Sequence, residues 1–251
     1  MPGATLQVTD VADGVRALTL SHPARKHALD AGFLDALEAA LSKGDGVRAW
    51  LVRAEGDGIF SAGYDLTALN GFPDGSPLPD ERLGQVFDAL TQHPAPSVAL
   101  VTGLAIGAGC ELAAACDFRV GNGAAKFSMP PAKLGVVYAL KGLRRLASRV
   151  GEQAARRMFL TGRPVDAEQA VRLGLLDVLA EDAEVQALAL CTELAANAPL
   201  AVQGMKRGFE LMSGGSDAAY ELARRVSFNS QDAREGKDAL LSRRVPRFLG
   251  R

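Results

Sequence analysis

The sequence predicts an α/β fold, a core of short strands alternating with helices that runs on into a helical C-terminal part. Three observations predict it. "GVRALTL" (14–20), "VRAWLVRA" (47–54), "PSVALVTG" (96–103) and "DFRVG" (117–121) are short β-type runs that end in polar or glycine breaks. Between the first two lies "DAGFLDALEAALSKG", which places Phe33, Leu34, Leu37 and Leu41 on one helical face. From about residue 139 the pattern changes to successive amphipathic helices. Strands alternating with helices build layered α/β cores.

Taken in order, the first helix has Asp30 placed to cap its start and Gly44 to stop it. "NGFPDGSPLPDE" (70–81) is rich in Pro and Gly and reads as a loop, the segment expected to be most mobile. The later helices are "ALKGLRRLASRVG", "GEQAARRMFLTG", "DAEQAVRLGLL", "DAEVQALALCTELAANAP", "LAVQGMKRGFELM" and "SDAAYELARRVSFNSQD". Only "LLDVL" (175–179) interrupts them as a strand. The α/β core is expected to reach about residue 190, and no internal repeat stands out.

Composition narrows the function. The 251 residues are 48% hydrophobic and 23% charged, close to the globular average, and long enough for a sizeable core. A net charge of −1 gives no electrostatic case for nucleic acid or an anionic membrane. One Trp and three Tyr offer little surface for base stacking. No apolar run approaches the roughly 18 residues of a membrane span, and the N-terminus lacks signal-peptide character. Cys110, Cys116 and Cys191 have neither disulfide nor zinc spacing, so buried free thiols in a reducing cytoplasm are expected. His22, His27 and His93 lie near turns without ligand spacing and are expected at the surface.

"GLAIGAGCELAAACDF" (103–118) sets three glycines and one carboxylate, Glu111, in an apolar run. A phosphate-binding loop needs Lys and Ser/Thr after its last glycine, and here Cys110 and Glu111 follow. A dinucleotide fingerprint needs a third glycine where Leu112 stands. The third reading is an oxyanion hole at a helix N-terminus, where glycines turn an amide outward and the helix dipole adds positive charge. Glu111 would then move a proton beside the oxyanion. First-turn acids also favour helices without any catalytic role, so both readings stand at this point. "GIFSAGYDLTAL" (58–69) strengthens the third, because it is a second strand–turn–helix run able to offer an outward amide, from Tyr64, before a helix that Asp65 can cap.

With both turns in view, the chain resembles the crotonase family, also called the enoyl-CoA hydratase/isomerase family. "RKHALD" (25–30) resembles the family's Asn-Ala-Leu segment, "FSAGYDL" (60–66) its first oxyanion motif and "GLAIGAGCEL" (103–112) its second. "LGVVYALKGLRRLASRVG" (134–151), "LTGRPVDAEQAVRLGLLDVL" (160–179) and "EGKDALLSRRVPRF" (235–248) continue the order. The resemblance implies a spiral of stacked ββα turns carrying the acyl-CoA site over 1–190. It also implies a helical oligomerisation region over 191–251, in a homotrimer or a dimer of trimers. It implies a coenzyme A thioester whose carbonyl oxygen sits between the amides of Tyr64 and Ala108, in turns made by Gly63, Gly107 and Gly109. Glu111 takes the place of an acid/base group, and Lys26, Ala28, Leu29, Ala62, Asp65 and Leu66 match positions that line the coenzyme. No cofactor beyond the substrate's own coenzyme A, no metal, and no nucleic-acid or membrane partner is implied, and the expected compartment is cytoplasmic.

One departure bears on the reaction. Family hydratases carry a second Glu in the segment matching "KFSMPPAKLG" (126–135), and here that position is Pro131. The same segment is similar to that of methylmalonyl-CoA decarboxylases, which share a tyrosine at the place of Tyr138 but have His where this chain has Tyr64. The leading expectation is hydratase/isomerase chemistry through Glu111. The alternatives are decarboxylation through Tyr138, or an acyl-CoA-binding homologue whose catalysis has decayed.

Overall fold

The computed structural model describes residues 5–56, 58–65, 78–212 and 217–251. Strands β1 (Thr5–Ala12) and β2 (Val15–Ser21) form an antiparallel hairpin, followed by helix α1 (Ala31–Ser42). Asp30 caps α1 as expected, its carboxylate accepting from the Phe33 amide at 2.9 Å. Phe33, Leu34, Leu37 and Leu41 are the buried face. The helix closes at Ser42, before Gly44.

Next come β3 (Ala49–Ala54), β4 (Gly58–Ser61), α2 (Pro79–Gln92), β5 (Ser97–Val101), β6 (Gly103–Ile106) and α3 (Ala108–Ala115). Then follow β7 (Phe118–Gly121), β8 (Lys126–Ser128), a 3-10 turn at Pro131–Leu134, α4 (Leu140–Val150) and α5 (Glu152–Thr161). Strands β9 (Val165–Asp166) and β10 (Val178–Leu179) flank α6 (Ala167–Arg172). The chain ends in α7 (Ala183–Ala196), α8 (Pro199–Leu211), α9 (Asp217–Phe228) and α10 (Gln231–Leu241).

The strands fall into two sheets, ordered β1-β2-β3-β5-β7-β10 and β4-β6-β8-β9. The pairs β3–β4, β5–β6 and β7–β8 each place their first strand in the larger sheet and their second in the smaller. The ββα unit therefore repeats in space although the sequence shows no repeat. β2, β3, β5, β7 and β10 run parallel, as do β4, β6 and β8.

One core fills the space around the two sheets, α1, α2 and α3, with Trp50, Phe33, Phe60, Phe87 and Phe127 fully buried. A second lies on the other face of the larger sheet, where Ala183, Ala187, Cys191 and Ala195 of α7 meet Val15, Leu51, Val98 and Val120. Their spacing of four residues makes one small-residue stripe that lets α7 lie close to the strands. Residue 190, the expected end of the core, falls inside this helix.

Four expectations are corrected. Residues 79–81 belong to the first turn of α2, with Pro79 at its start, a position that tolerates proline; residues 70–77 of the expected loop lie outside the described residues. A second short strand, β9, joins the helical half beside β10. His27 is buried, and its Nδ1 accepts from the His22 amide at 3.1 Å. His93 is half-buried, and its Nδ1 accepts from Trp50 Nε1 at 3.1 Å and the Ala95 amide at 3.0 Å. Burial holds both imidazoles below the usual histidine range. All three cysteines are buried, and burial pushes each thiol up to about 12. Among the described residues no single helix is long and apolar enough to cross a membrane.

Arg119 on β7 ties the last strands to α3. It is 2% exposed, donates to Leu175 O and Cys116 O at 2.9 Å each, and pairs with Asp177 at 2.6 Å. Arg119→Met is expected to cost about 1–3 kcal/mol, because it strips the buried donor from the Leu175 and Cys116 carbonyls while Asp177, 33% exposed, stays hydrated. Denaturant unfolding with an unchanged m-value would measure it.

Candidate active site

The two turns singled out in the sequence lie against each other. β4 leads into Ala62–Asp65, and β6 leads into Gly107 and the start of α3. A methyl group on Gly63 would lie 2.5 Å from Ile106 O and 3.2 Å from Ala108 N, and one on Gly109 would lie 2.6 Å from Ser61 O. Only glycine permits an approach this close from both sides. Gly107 adopts φ 53°, ψ −119°, a conformation L-residues avoid, and this turns the chain from strand into helix.

Hydrogen bonding in the first turn selects one amide. The Ala62 N–H donates to Lys26 O at 2.9 Å, Gly63 N–H to Ser61 Oγ at 3.1 Å, and Asp65 N–H to Leu29 O at 3.0 Å. The parallel bridge between Leu29 and Tyr64 uses the carbonyl of Gly63 and the amide of Asp65, so the Tyr64 N–H points the other way. In the second turn Gly107 N–H donates to Ser128 O at 2.8 Å and Glu111 N–H to Gly107 O at 3.0 Å. Ala108, at the first position of α3, has no partner for its N–H among the described residues. Tyr64 and Ala108 both line one cavity of about 380 Å³.

That cavity is mostly apolar, walled by Leu78, Leu83, Ile106, Pro131, Val136 and Val137. Tyr64, Tyr138 and Asp80 bring the ionisable side chains of the lining, and Ala62, Gly63 and Gly107 line it too. Glu111 is 3% exposed and stands outside the lining. Its Oε2 accepts from the Tyr138 hydroxyl at 2.6 Å, and its Oε1 is held by Arg145 of α4. Tyr138 thus lies between the carboxylate and the cavity. Arg145 also contacts Asp88 of α2 at 2.5 Å, and Asp88 in turn takes Lys141 at 2.5 Å.

These contacts set the electrostatics. Burial pushes the Glu111 carboxyl above its usual range, while the Arg145 charge and the Tyr138 hydroxyl pull it back. Tyr138 is raised well above an ordinary phenol, first by burial and then by the Glu111 charge. Gly142 makes room for the pair: a methyl group there would lie 2.4 Å from the Tyr138 ring and 3.0 Å from Glu111 Oε2.

Other predicted residues are placed less directly. Lys26–Leu29 runs beside the first turn through the hydrogen bonds above, with Lys26 exposed, Ala28 half-buried and Leu29 fully buried in the core. Lys26 and His27 both adopt left-handed backbone, φ 55° and 52°. Asp65 is 8% exposed and ion-paired with Arg25. Leu66 lies outside the described residues. Sequence reasoning missed Arg145, Asp88 and Asp80. Arg145 sits in "KGLRRLASR", where nothing marks it apart from Arg144 or Arg149.

Removing Arg145 would leave Glu111 buried without a countercharge. Arg145→Met is expected to cost about 3–5 kcal/mol near pH 8. The folded state would then hold the Glu111 proton more tightly than the unfolded chain does. Stability lost to the substitution therefore shrinks as pH falls into the ordinary carboxylate range and grows as pH rises above it. Urea melts of both proteins at pH 5 and pH 8 measure the difference.

Comparison with known proteins extends the resemblance over nearly the whole chain. The enoyl-CoA hydratase/isomerase family model matches residues 10–251. The chain is 33% identical to a probable enoyl-CoA hydratase of Bacillus subtilis, over 94% of this chain and 95% of that one. It is 34% identical to the 2,3-dehydroadipyl-CoA hydratase of Escherichia coli, over 94% and 96%. A solved enoyl-CoA hydratase/isomerase family member superposes with a TM-score of 0.88 at 32% identity, over 97% of each chain. With its alternating strand pairs and its two apposed glycine turns, the chain belongs to the enoyl-CoA hydratase/isomerase family, the crotonase fold.

Proposed function

We propose that the protein is an acyl-CoA-processing enzyme of the hydratase/isomerase type, acting through a thioester enolate. One observation carries the reading: among the described residues the N–H groups of Tyr64 and Ala108 have no partner, and both residues line the cavity that Tyr138 also lines. Two preorganised amides at a thioester carbonyl stabilise the charge that develops when its α-carbon loses a proton or its double bond is attacked. The apolar walls accept an uncharged acyl chain.

The proton moves through two groups. As the α-carbon gives its proton to the Tyr138 oxygen, Tyr138 gives its own to Glu111 Oε2, 2.6 Å away. The reverse relay protonates the enolate. Arg145 fixes Glu111 for this exchange, and burial raises Glu111 toward the pH at which it can both take and return a proton. Glu111 is the acid/base reservoir and Tyr138 the atom that meets the substrate. Lys26, Ala28, Ala62, Asp65 and Leu66 are proposed to border the coenzyme, with Leu29, fully buried, supporting them from the core, and no separate cofactor is required.

Decarboxylation is the second reading, favoured by one observation: Tyr138, rather than Glu111, faces the cavity. A phenol with a raised pKa is a proton donor suited to an enolate left by departing CO₂. Asp80 opposes it, because its charge repels a malonyl-type carboxylate in the same cavity.

For assembly, α8–α10 and the chain after them expose Phe209, Met212, Leu222, Phe228, Leu240 and Val245, each at least 64% accessible. This apolar face is proposed to pack between subunits in a homotrimer or a dimer of trimers in the cytoplasm. Light scattering should then give a mass at least three times that of the chain.

Crotonyl-CoA turnover with methylmalonyl-CoA untouched is the expected outcome of a mass-spectrometric assay of both thioesters; the converse selects decarboxylation. Silence on both, with acyl-CoA still raising the melting temperature, selects the binding protein. Ala108→Pro removes one oxyanion donor and should cost about 10²–10³ in kcat. Glu111→Gln breaks the relay, and loss of α-proton exchange from a saturated acyl-CoA in deuterated water, read by mass, checks it. Gly142→Ala displaces Tyr138 and should reproduce that loss while acyl-CoA binding persists.

A further inference from the structure

We infer that Asp80 is the second carboxylate of the site, the general base that activates water for addition to the β-carbon of an enoyl thioester. The inference rests on the acyl-CoA reading above and deepens it, because the Tyr138–Glu111 relay alone moves only the α-proton.

Hydration needs two proton positions. The water loses a proton as its oxygen attacks the β-carbon, and the enolate gains one at the α-carbon. The segment that supplies the second Glu in family hydratases supplies Pro131 here, and Pro131 is a wall of the cavity with no proton to move. Glu111 cannot serve both positions, since Arg145 and Tyr138 hold its two oxygens. Asp80 is the carboxylate left in the lining, on the first turn of α2, between Leu78 and Leu83 of the same wall. No hydrogen bond or ion pair from the described residues engages it.

Its placement is more than a helix-terminal preference. Glu81, the next residue, is exposed and complements the positive end of α2 equally well, whereas Asp80 borders the apolar chamber. Its charge also reaches the other proton-moving groups, adding to the upward push on both Glu111 and Tyr138. The groups divide into a carboxylate in the lining, Asp80, and a hydrogen-bonded pair, Tyr138 and Glu111, that is biased toward holding protons. That division is the one an acid–base reaction uses.

The step balances. Asp80 takes a proton from water as the water oxygen bonds to the β-carbon. The π electrons of the double bond move into the thioester, and its oxygen is held by the Tyr64 and Ala108 amides. The α-carbon then takes the Tyr138 proton, and Tyr138 takes one from protonated Glu111. Asp80 returns its proton to solvent and Glu111 recovers one from solvent, so the enzyme is regenerated and one water has been added.

The test compares two reactions of one protein. Asp80→Asn keeps shape and removes the base, so crotonyl-CoA hydration should fall at least about a hundredfold. Exchange of the α-hydrogens of butyryl-CoA in deuterated water, which needs only the relay and the amides, should stay within tenfold of the unmodified protein. Asp80→Glu should recover part of the hydration. Melting temperature and butyryl-CoA affinity, measured alongside, confirm that the variant folds and binds. Hydration retained in Asp80→Asn overturns the assignment, and so does an equal loss of hydration and exchange. Exchange without hydration in the unmodified protein overturns it too, while leaving the enolate reading intact. An unmodified protein that neither exchanges nor hydrates overturns that reading as well.

Discussion

A buried carboxylate on a helix that is otherwise uncharged organises this molecule. α3 is built of Ala, Gly, Cys, Glu and Leu, every residue buried, and such a helix can pass through the centre of the fold because nothing on it projects far. Glu111 is the exception, and leaving it unpaired there would cost several kcal/mol. Arg145 from α4 answers it, although that side chain is itself only 8% exposed and needs a further acceptor. Asp88 from α2 supplies one, and Lys141, 58% exposed, completes an alternation of charge that runs from core to solvent. Three helices are held in register by one charge. The same charge orients Tyr138, so the demand of stability and the placing of a hydroxyl beside the cavity are met by one network.

The second organising constraint is steric. Gly63 and Gly109 let two strand-to-turn connections touch backbone to backbone, where side chains would hold them apart. Once the turns touch, the hydrogen bonds of the first are taken up by the Lys26–Leu29 segment and by Ser61 until one amide remains. The outward amide is what is left when its neighbours are satisfied, and it needs no strain of its own. What strain there is lies in the supporting segment, where Lys26 and His27 hold left-handed backbone and His27 is buried behind the turn.

Much of this was legible locally. The Asp30 cap, the apolar face of α1, the strands after residues 14, 47, 96 and 117, and both glycine turns depend on residues within a few positions of one another. What escaped depends on distance or on context. Arg145 meets Glu111 across 34 positions, and nothing among the five arginines of α4 and α5 (Arg144, Arg145, Arg149, Arg156 and Arg157) says which one turns inward. Residues 79–81 look like loop because proline ends most helices, yet it also begins them. His27 reads as a surface residue because it lies near a turn, but it is buried behind the Ser61 turn that its carbonyl supports. The ββα repeat leaves no trace in the sequence because each unit faces a different neighbour, and only its backbone path recurs.

Placing a phenol between a carboxylate and a reaction chamber changes what the carboxylate can do. A carboxylate that faces the substrate accepts a proton directly, and its basicity is then set by whatever the substrate brings with it. Behind Tyr138, Glu111 has Tyr138 and Arg145 on its two oxygens, so its proton affinity is set by burial and by the Arg145 charge. The cavity is then mostly apolar, with Tyr64, Tyr138 and Asp80 as its polar side chains. A carboxylate in such a cavity has few other polar groups around it, and Asp80 is the one acid among the described residues of the lining.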